Sequence, residues 1–137
     1  MKILIINFRF LLLLFLSIAF VNCKSSEDDS PLSISEKVVL LENSEWLLKG
    51  FEDRVKHTFS NGVKYTFYGQ NNQFSETPIP GTQSYSIANN RLIISVNNTN
   101  YEYELVFSCN NTIVSLFRDN ELHSVLYENY SNYKECL

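Results

Sequence analysis

The chain has 137 residues, with 15 acidic residues against 11 basic ones and two histidines, a formal net charge of −4. That length holds one small domain, and the acidic balance excludes the basic face that nucleic-acid binding requires. The charge is unevenly placed, because no acidic residue precedes Glu27.

Between Met1 and Val21, Lys2 and Arg9 are the only charged residues, and "FLLLLFLSIAFV" from Phe10 to Val21 carries none. A basic start followed by an apolar run of roughly 7–15 residues is the layout of a secretory signal peptide. A transmembrane helix needs about 20 apolar residues, more than the chain offers after Arg9. Ordinary cleavage uses small residues before the cut, whereas Phe20, Val21 and Asn22 precede Cys23. This stretch resembles the lipobox of bacterial lipoproteins, with Phe20 and Asn22 standing where the general pattern has Leu and a small residue. The following "CKSSEDDS" resembles the acidic tract of surface-displayed lipoproteins in Bacteroidota-type bacteria.

The resemblance implies that Cys23 becomes the first residue of the mature chain and carries acyl chains, palmitate among them. Stable anchoring takes at least two lipid signals, each buried methylene contributing about 0.8 kcal/mol, and a diacylated or triacylated Cys23 supplies them. The alternative is a leader cut elsewhere, with Cys23 lost or left as a free thiol. The expected organisation is a signal peptide over residues 1–22, a lipidated cysteine and acidic flexible tether over residues 23–31, and a folded domain over residues 32–137. The expected location is the bacterial outer membrane, on its surface-exposed or its periplasmic face, and the expected membrane partner is reached through the acyl chains on Cys23.

Without residues 1–22, nine basic residues stand against fifteen acidic ones, a net charge of −6. With Cys23 acylated, Cys109 and Cys136 remain, and an even remainder in an exported chain points to a disulfide. A structural metal would need further ligands, and no CxxC pair or histidine cluster accompanies the two cysteines. Two unpaired thiols are the other alternative.

The folded part opens on "LSISEKVVLLEN", Leu32 to Asn43, where Ser33 and Glu36 have the spacing of a capping box. A short helix from about Ile34 is expected, with a strand as the alternative because Val38 and Val39 are β-branched. From there the period becomes two. "VKYTFYG" alternates Val63, Tyr65 and Phe67 against Lys64, Thr66 and Tyr68, and "YEYELVF" alternates Tyr101, Tyr103, Leu105 and Phe107 against Glu102, Glu104 and Val106. Such alternation marks half-buried antiparallel strands. "EWLLKGF", "QSYSI", "RLIISV", "TIVSLF" and "LHSVLY" are further strand-forming runs. Turn signals divide them at Ser60–Gly62, Gly69–Asn72, Ala88–Asn90, Asn97–Asn100, Cys109–Asn111 and Arg118–Asn120. Asn tolerates left-handed backbone, so Asn pairs can serve where other chains use Gly. Pro78 and Pro80 make "TPIPG" a wider loop. Seven to nine short strands joined by tight turns predict an all-β, up-and-down antiparallel meander, closed into a small β-barrel to remove its edges.

Trp46 at the first strand, Tyr65 to Phe67 followed by Phe74, "GTQSYSIANNRLIISV" and "YEYELVFS" occur in an order that resembles the lipocalin-like domains of small Bacteroidota lipoproteins. The similarity covers Ser44 to about Tyr127. It implies a lipocalin-like barrel, and most members of that group have no assigned activity.

The chain shows no GxSxG, HExxH, P-loop or EF-hand pattern. His57 and His123 are single residues on predicted strands, without the three or four converging ligands of a metal site. They are expected at the surface or half-buried. Glu102 and Glu104 share one face of one strand, and paired carboxylates can do acid–base work, but Tyr101, Tyr103 and Leu105 form the better core face, so the glutamates are expected in solvent; the alternative is a barrel with a polar lumen, where they would point inward. No catalytic residue and no cofactor are expected. The many aromatics are expected to fill the barrel for the most part, while Tyr65, Tyr101 and Tyr103 are candidates to grip a ligand at its mouth. The function expected first is a non-catalytic binding module for a small apolar ligand or a partner protein. Second comes an interaction lipoprotein with a solid core, and third a hydrolase.

Overall fold

Ser33 caps the helix that opens the domain. Its Oγ accepts from the Glu36 backbone N–H, and the Glu36 carboxylate accepts from the Ser33 backbone N–H at 2.7 Å, so the capping box forms at the residues that predict it. The helix is α1 (Ile34–Glu42). It belongs to a computed structural model that describes residues 31–81 and 83–137. The expected signal peptide, Cys23 and, apart from Pro31, the tether lie outside the described residues.

Nine strands follow: β1 (Glu45–Leu48), β2 (Val55–Ser60), β3 (Val63–Gln70), β4 (Gln73–Phe74), β5 (Gln83–Ala88), β6 (Arg91–Val96), β7 (Thr99–Ser108), β8 (Ile113–Arg118) and β9 (Glu121–Glu128), with a final 3₁₀ turn at Tyr133–Cys136. The pairing order is β2-β1-β9-β8-β7-β6-β5-β3, and β3 returns to β2. Eight strands therefore close an antiparallel barrel, and the two-residue β4 hangs on β3 as a short outer flap. The expected up-and-down barrel with a short N-terminal helix is what forms.

The turns explain how so few glycines suffice. Asn61–Gly62, Asn71–Asn72, Asn89–Asn90, Asn97–Asn98 and Asp119–Asn120 each place two successive residues at positive φ, between 49° and 75°. That is the backbone a two-residue hairpin needs to match the twist of its strands, and Asn and Asp reach it at less steric cost than other side chains. The β7–β8 turn carries three such residues, Cys109, Asn110 and Asn111.

Ladder partners share a face, so the register fixes what lies inside. Trp46, Phe59, Leu92, Leu105 and Val114 fill the interior and are at most 1% exposed. α1 contacts β1 and β2 on one side of the ring and β6 and β7 on the other. It therefore lies across one end of the barrel and sends Val38 and Leu41 into the core. Trp46 Nε1 donates to the Leu41 carbonyl at 3.0 Å, Lys37 Nζ donates to the Leu105 carbonyl at 2.7 Å, and the Tyr85 hydroxyl donates to the Glu42 carboxylate. These bonds fasten the plug to three strands. Burial and the Glu42 carboxylate push the Tyr85 hydroxyl up to about 12.

A second apolar cluster lies outside the barrel. Leu47, Ile113 and Tyr127 point outward from β1, β8 and β9, and Tyr133 of the 3₁₀ turn covers them, its ring stacked on that of Tyr127 at 4.4 Å. Cys109 and Cys136 form a disulfide with Cα atoms 6.0 Å apart. It ties the 3₁₀ turn to the β7–β8 corner and holds Tyr133 on its patch.

Candidate functional site

The interior is solid at the α1 end and opens at the other. The change of character begins on β2 and β3. Register pairs Phe59 with Lys64, His57 with Thr66 and Val55 with Tyr68. Because Phe59 is a buried core residue, its ladder partner Lys64 faces inward with it, and Thr66 and Tyr68 follow two and four residues on. Val63, Tyr65 and Phe67 therefore take the outer face. The apolar look of those three residues is satisfied outside the barrel, where Lys56 Nζ sits over the rings of Phe67 and Phe74 at 5.1 and 5.3 Å and pairs with Glu45 at 2.8 Å.

The inward polar residues line a cavity of about 620 Å³ at the open end. Leu48 and Val55 come from β1 and β2, Phe51 and Arg54 from the loop between them, and Ile79 from the proline-bracketed loop before β5. That loop is held over the rim by the Ile79 N–H, which donates to the Thr66 carbonyl at 2.8 Å. His57, Lys64, Thr66 and Gln83 supply the polar groups. The result is a cup with largely apolar walls and a few converging polar groups, the usual composition of a small-molecule site.

His57 and Lys64, the two titratable groups that point into the cup from β2 and β3, each have a neutral hydrogen-bond partner. His57 Nδ1 and Thr66 Oγ1 share a hydrogen bond of 2.9 Å, and Lys64 Nζ donates to Gln83 Oε1 at 3.2 Å. Burial, helped by the charge of Lys64, pushes the His57 imidazole down to about 3. Burial alone pushes the Lys64 ammonium down to about 8. His123 is lowered by burial and then by the charges of Arg118 and Lys64. Among the described residues no carboxylate lines the cup.

His57 differs from its expectation: it is 6% exposed and fully within the barrel, because it occupies the inward register next to Phe59. His123 lies near the surface, its ring 5.2 Å from that of Tyr103. Glu102 and Glu104 are exposed, as the alternation of β7 implies. The three candidate tyrosines are not brought together. Tyr65 is on the outer face of β3, Tyr103 is buried in the core, and Tyr101 lies half-buried under the Arg118 guanidinium at 5.2 Å. Tyr101 instead lines a second cavity, about 630 Å³, with Arg91, Glu102, Arg118 and Asp119. That groove is polar and its charges balance, so it lacks the apolar walls of the cup.

Among the described residues no cluster of His, Cys, Asp and Glu could hold a metal ion. Among them, too, no helix is long and apolar enough to cross a membrane. No family model, curated protein or solved structure matches the chain.

Proposed function

We propose that the chain is a lipid-anchored lipoprotein of a bacterial cell envelope, and that its barrel is a non-catalytic binding module for a small, largely apolar ligand. The anchor rests on the N-terminal pattern that ends at Cys23. The binding reading is carried by one observation, the 620 Å³ cup at the open end of an otherwise solid barrel. Its size lies within the range of about 300–1,000 Å³ common to ligand pockets. The cup's polar groups, His57, Lys64, Thr66 and Gln83, are placed to bind and orient such a ligand.

The filled core favours a second reading, an interaction lipoprotein that works through its outer surface. Tyr130, 94% exposed at positive φ beside the stacked Tyr127 and Tyr133, is the outward aromatic such a partner would meet.

Native mass spectrometry of the protein extracted from its host membrane tests both parts. The expected species begins at Cys23, carries two or three acyl chains, and releases a non-covalent adduct of about a few hundred daltons on activation. A chain starting elsewhere without acyl groups removes the anchor. A ligand-free barrel that also binds no member of a small apolar library removes the cup reading and leaves the surface one.

A further inference from the structure

The domain is acidic, yet the cup is not. Its two ionic residues are Lys64 and Arg54, in a chain that has −6 net charge after residue 22. The two cations are differently placed. Arg54 is exposed on the rim, lies 3.7 Å from Asp53 and stacks on Phe51. Lys64 points inward from the start of β3 beside its buried ladder partner Phe59 and is half-buried, and that burial lowers its ammonium.

Withdrawn cations are normally paired, because an uncompensated buried charge is expensive. Among the described residues the ion pairs are Arg54–Asp53 and Lys56–Glu45, and Lys64 is in neither. Among the described residues its side-chain partner is the neutral Gln83 amide oxygen, which leaves two of its three N–H donors for something else. The nearby imidazole of His57 is joined to Thr66 and held uncharged, and an imidazole supplies no negative charge in either protonation state. An anionic group is therefore accommodated inside the cup at Lys64, where Leu48, Val55 and Ile79 offer apolar wall to the rest of a ligand.

We infer that the cup takes an amphiphile with one anionic group, its carboxylate bound to the Lys64 ammonium beside Gln83 and its apolar body against the wall toward the rim. This rests on the ligand-binding reading above and adds the charge and orientation of the ligand.

Calorimetric titration of the purified full chain with decanoate, decan-1-ol and decyltrimethylammonium, each below its micellar concentration, tests it with one apolar body and three head groups. Decanoate is expected to bind roughly tenfold or more tighter than decan-1-ol, as a charge-assisted hydrogen bond in a sheltered site supplies, and the ammonium weakest. Lys64→Met is expected to bring decanoate to the decan-1-ol level, and Lys64→Arg to keep the preference, which guards against a Met variant that fails to fold. Equal affinity for decanoate and decan-1-ol, or a preference that survives Lys64→Met, would overturn the anionic assignment while leaving the ligand-binding reading standing. Failure of all three to bind would overturn both.

Discussion

His57 Nδ1 and Thr66 Oγ1 meet at 2.9 Å across the β2–β3 ladder, in the interior of the barrel. The hydroxyl satisfies one ring nitrogen without offering charge, so the site accommodates imidazole and resists imidazolium. This makes stability depend on pH in a definite direction. The folded value of about 3 lies below the ordinary 6.5, so the unfolded chain binds the proton more readily at every pH between them. Stability is full above about pH 6.5 and falls as pH drops toward 3. The loss between pH 7 and 4.5 is about 2–3 kcal/mol. Urea unfolding followed by Trp46 fluorescence checks it, and His57→Gln should remove most of the slope between pH 6.5 and 5, above the range where carboxylates titrate, leaving the smaller part that the lowered His123 contributes.

Lys64 should titrate apart from the other lysines. Following lysine ¹³Cε resonances against pH should give one midpoint near 8, with the side chain neutral above it. A Lys64 midpoint at the ordinary lysine value would mean that water reaches the ammonium freely.

The plug should be worth a large part of the fold. Leu41 is fully buried where α1 crosses the barrel end. Leu41→Ala leaves a cavity at that crossing and is expected to destabilise by about 2–5 kcal/mol. Because the adjacent Leu41 carbonyl receives the Trp46 indole N–H, the variant should also shift Trp46 emission to the red before global unfolding.

Loss of the disulfide should act on the apolar patch outside the barrel. Cys109 and Cys136 are 27 residues apart, and a loop of that size gives about 3–4 kcal/mol in the chain-entropy model. Cys136→Ser, or reduction, should lower the denaturation midpoint accordingly and release Tyr133 from Tyr127, detectable as faster amide exchange over residues 129–137.

The Asn turns predict a simple contrast. Asn90 sits at φ 60° in the β5–β6 turn. Asn90→Ala should cost about 1 kcal/mol, the strain of a left-handed alanine, and Asn90→Gly should not. Thermal unfolding of the two variants side by side gives the answer.

Much of this was legible in the residues. The Ser33–Glu36 spacing located α1, the alternation of β7 separated Tyr103 and Leu105 from the two glutamates, and paired asparagines marked turns where glycines are scarce. The cup was not legible, because alternation divides a strand into two faces without saying which is inside. On β3 the more apolar face, Val63, Tyr65 and Phe67, is the outer one. That choice is imposed by β2, whose Phe59 and His57 carry Lys64 and Thr66 inward by register. The apolar face then finds cover from Lys56 and from Phe74 of β4, neither of which a period count can anticipate. Hence the ligand candidates among the tyrosines, and the silence about Lys64, Thr66 and Gln83.

The contact between β3 and β5 consists of two ladder pairs, Val63 with Ser84 and Lys64 with Gln83. Every other neighbouring pair around the ring has three or more. The circle is therefore sealed at its narrowest stitch by the same lysine and glutamine that reach into the cup. Anything gripping both side chains would bridge the two margins of that stitch, so filling the cup and holding the ring shut become a single event. An occupant would act as a clasp, and an empty barrel would breathe first along that line.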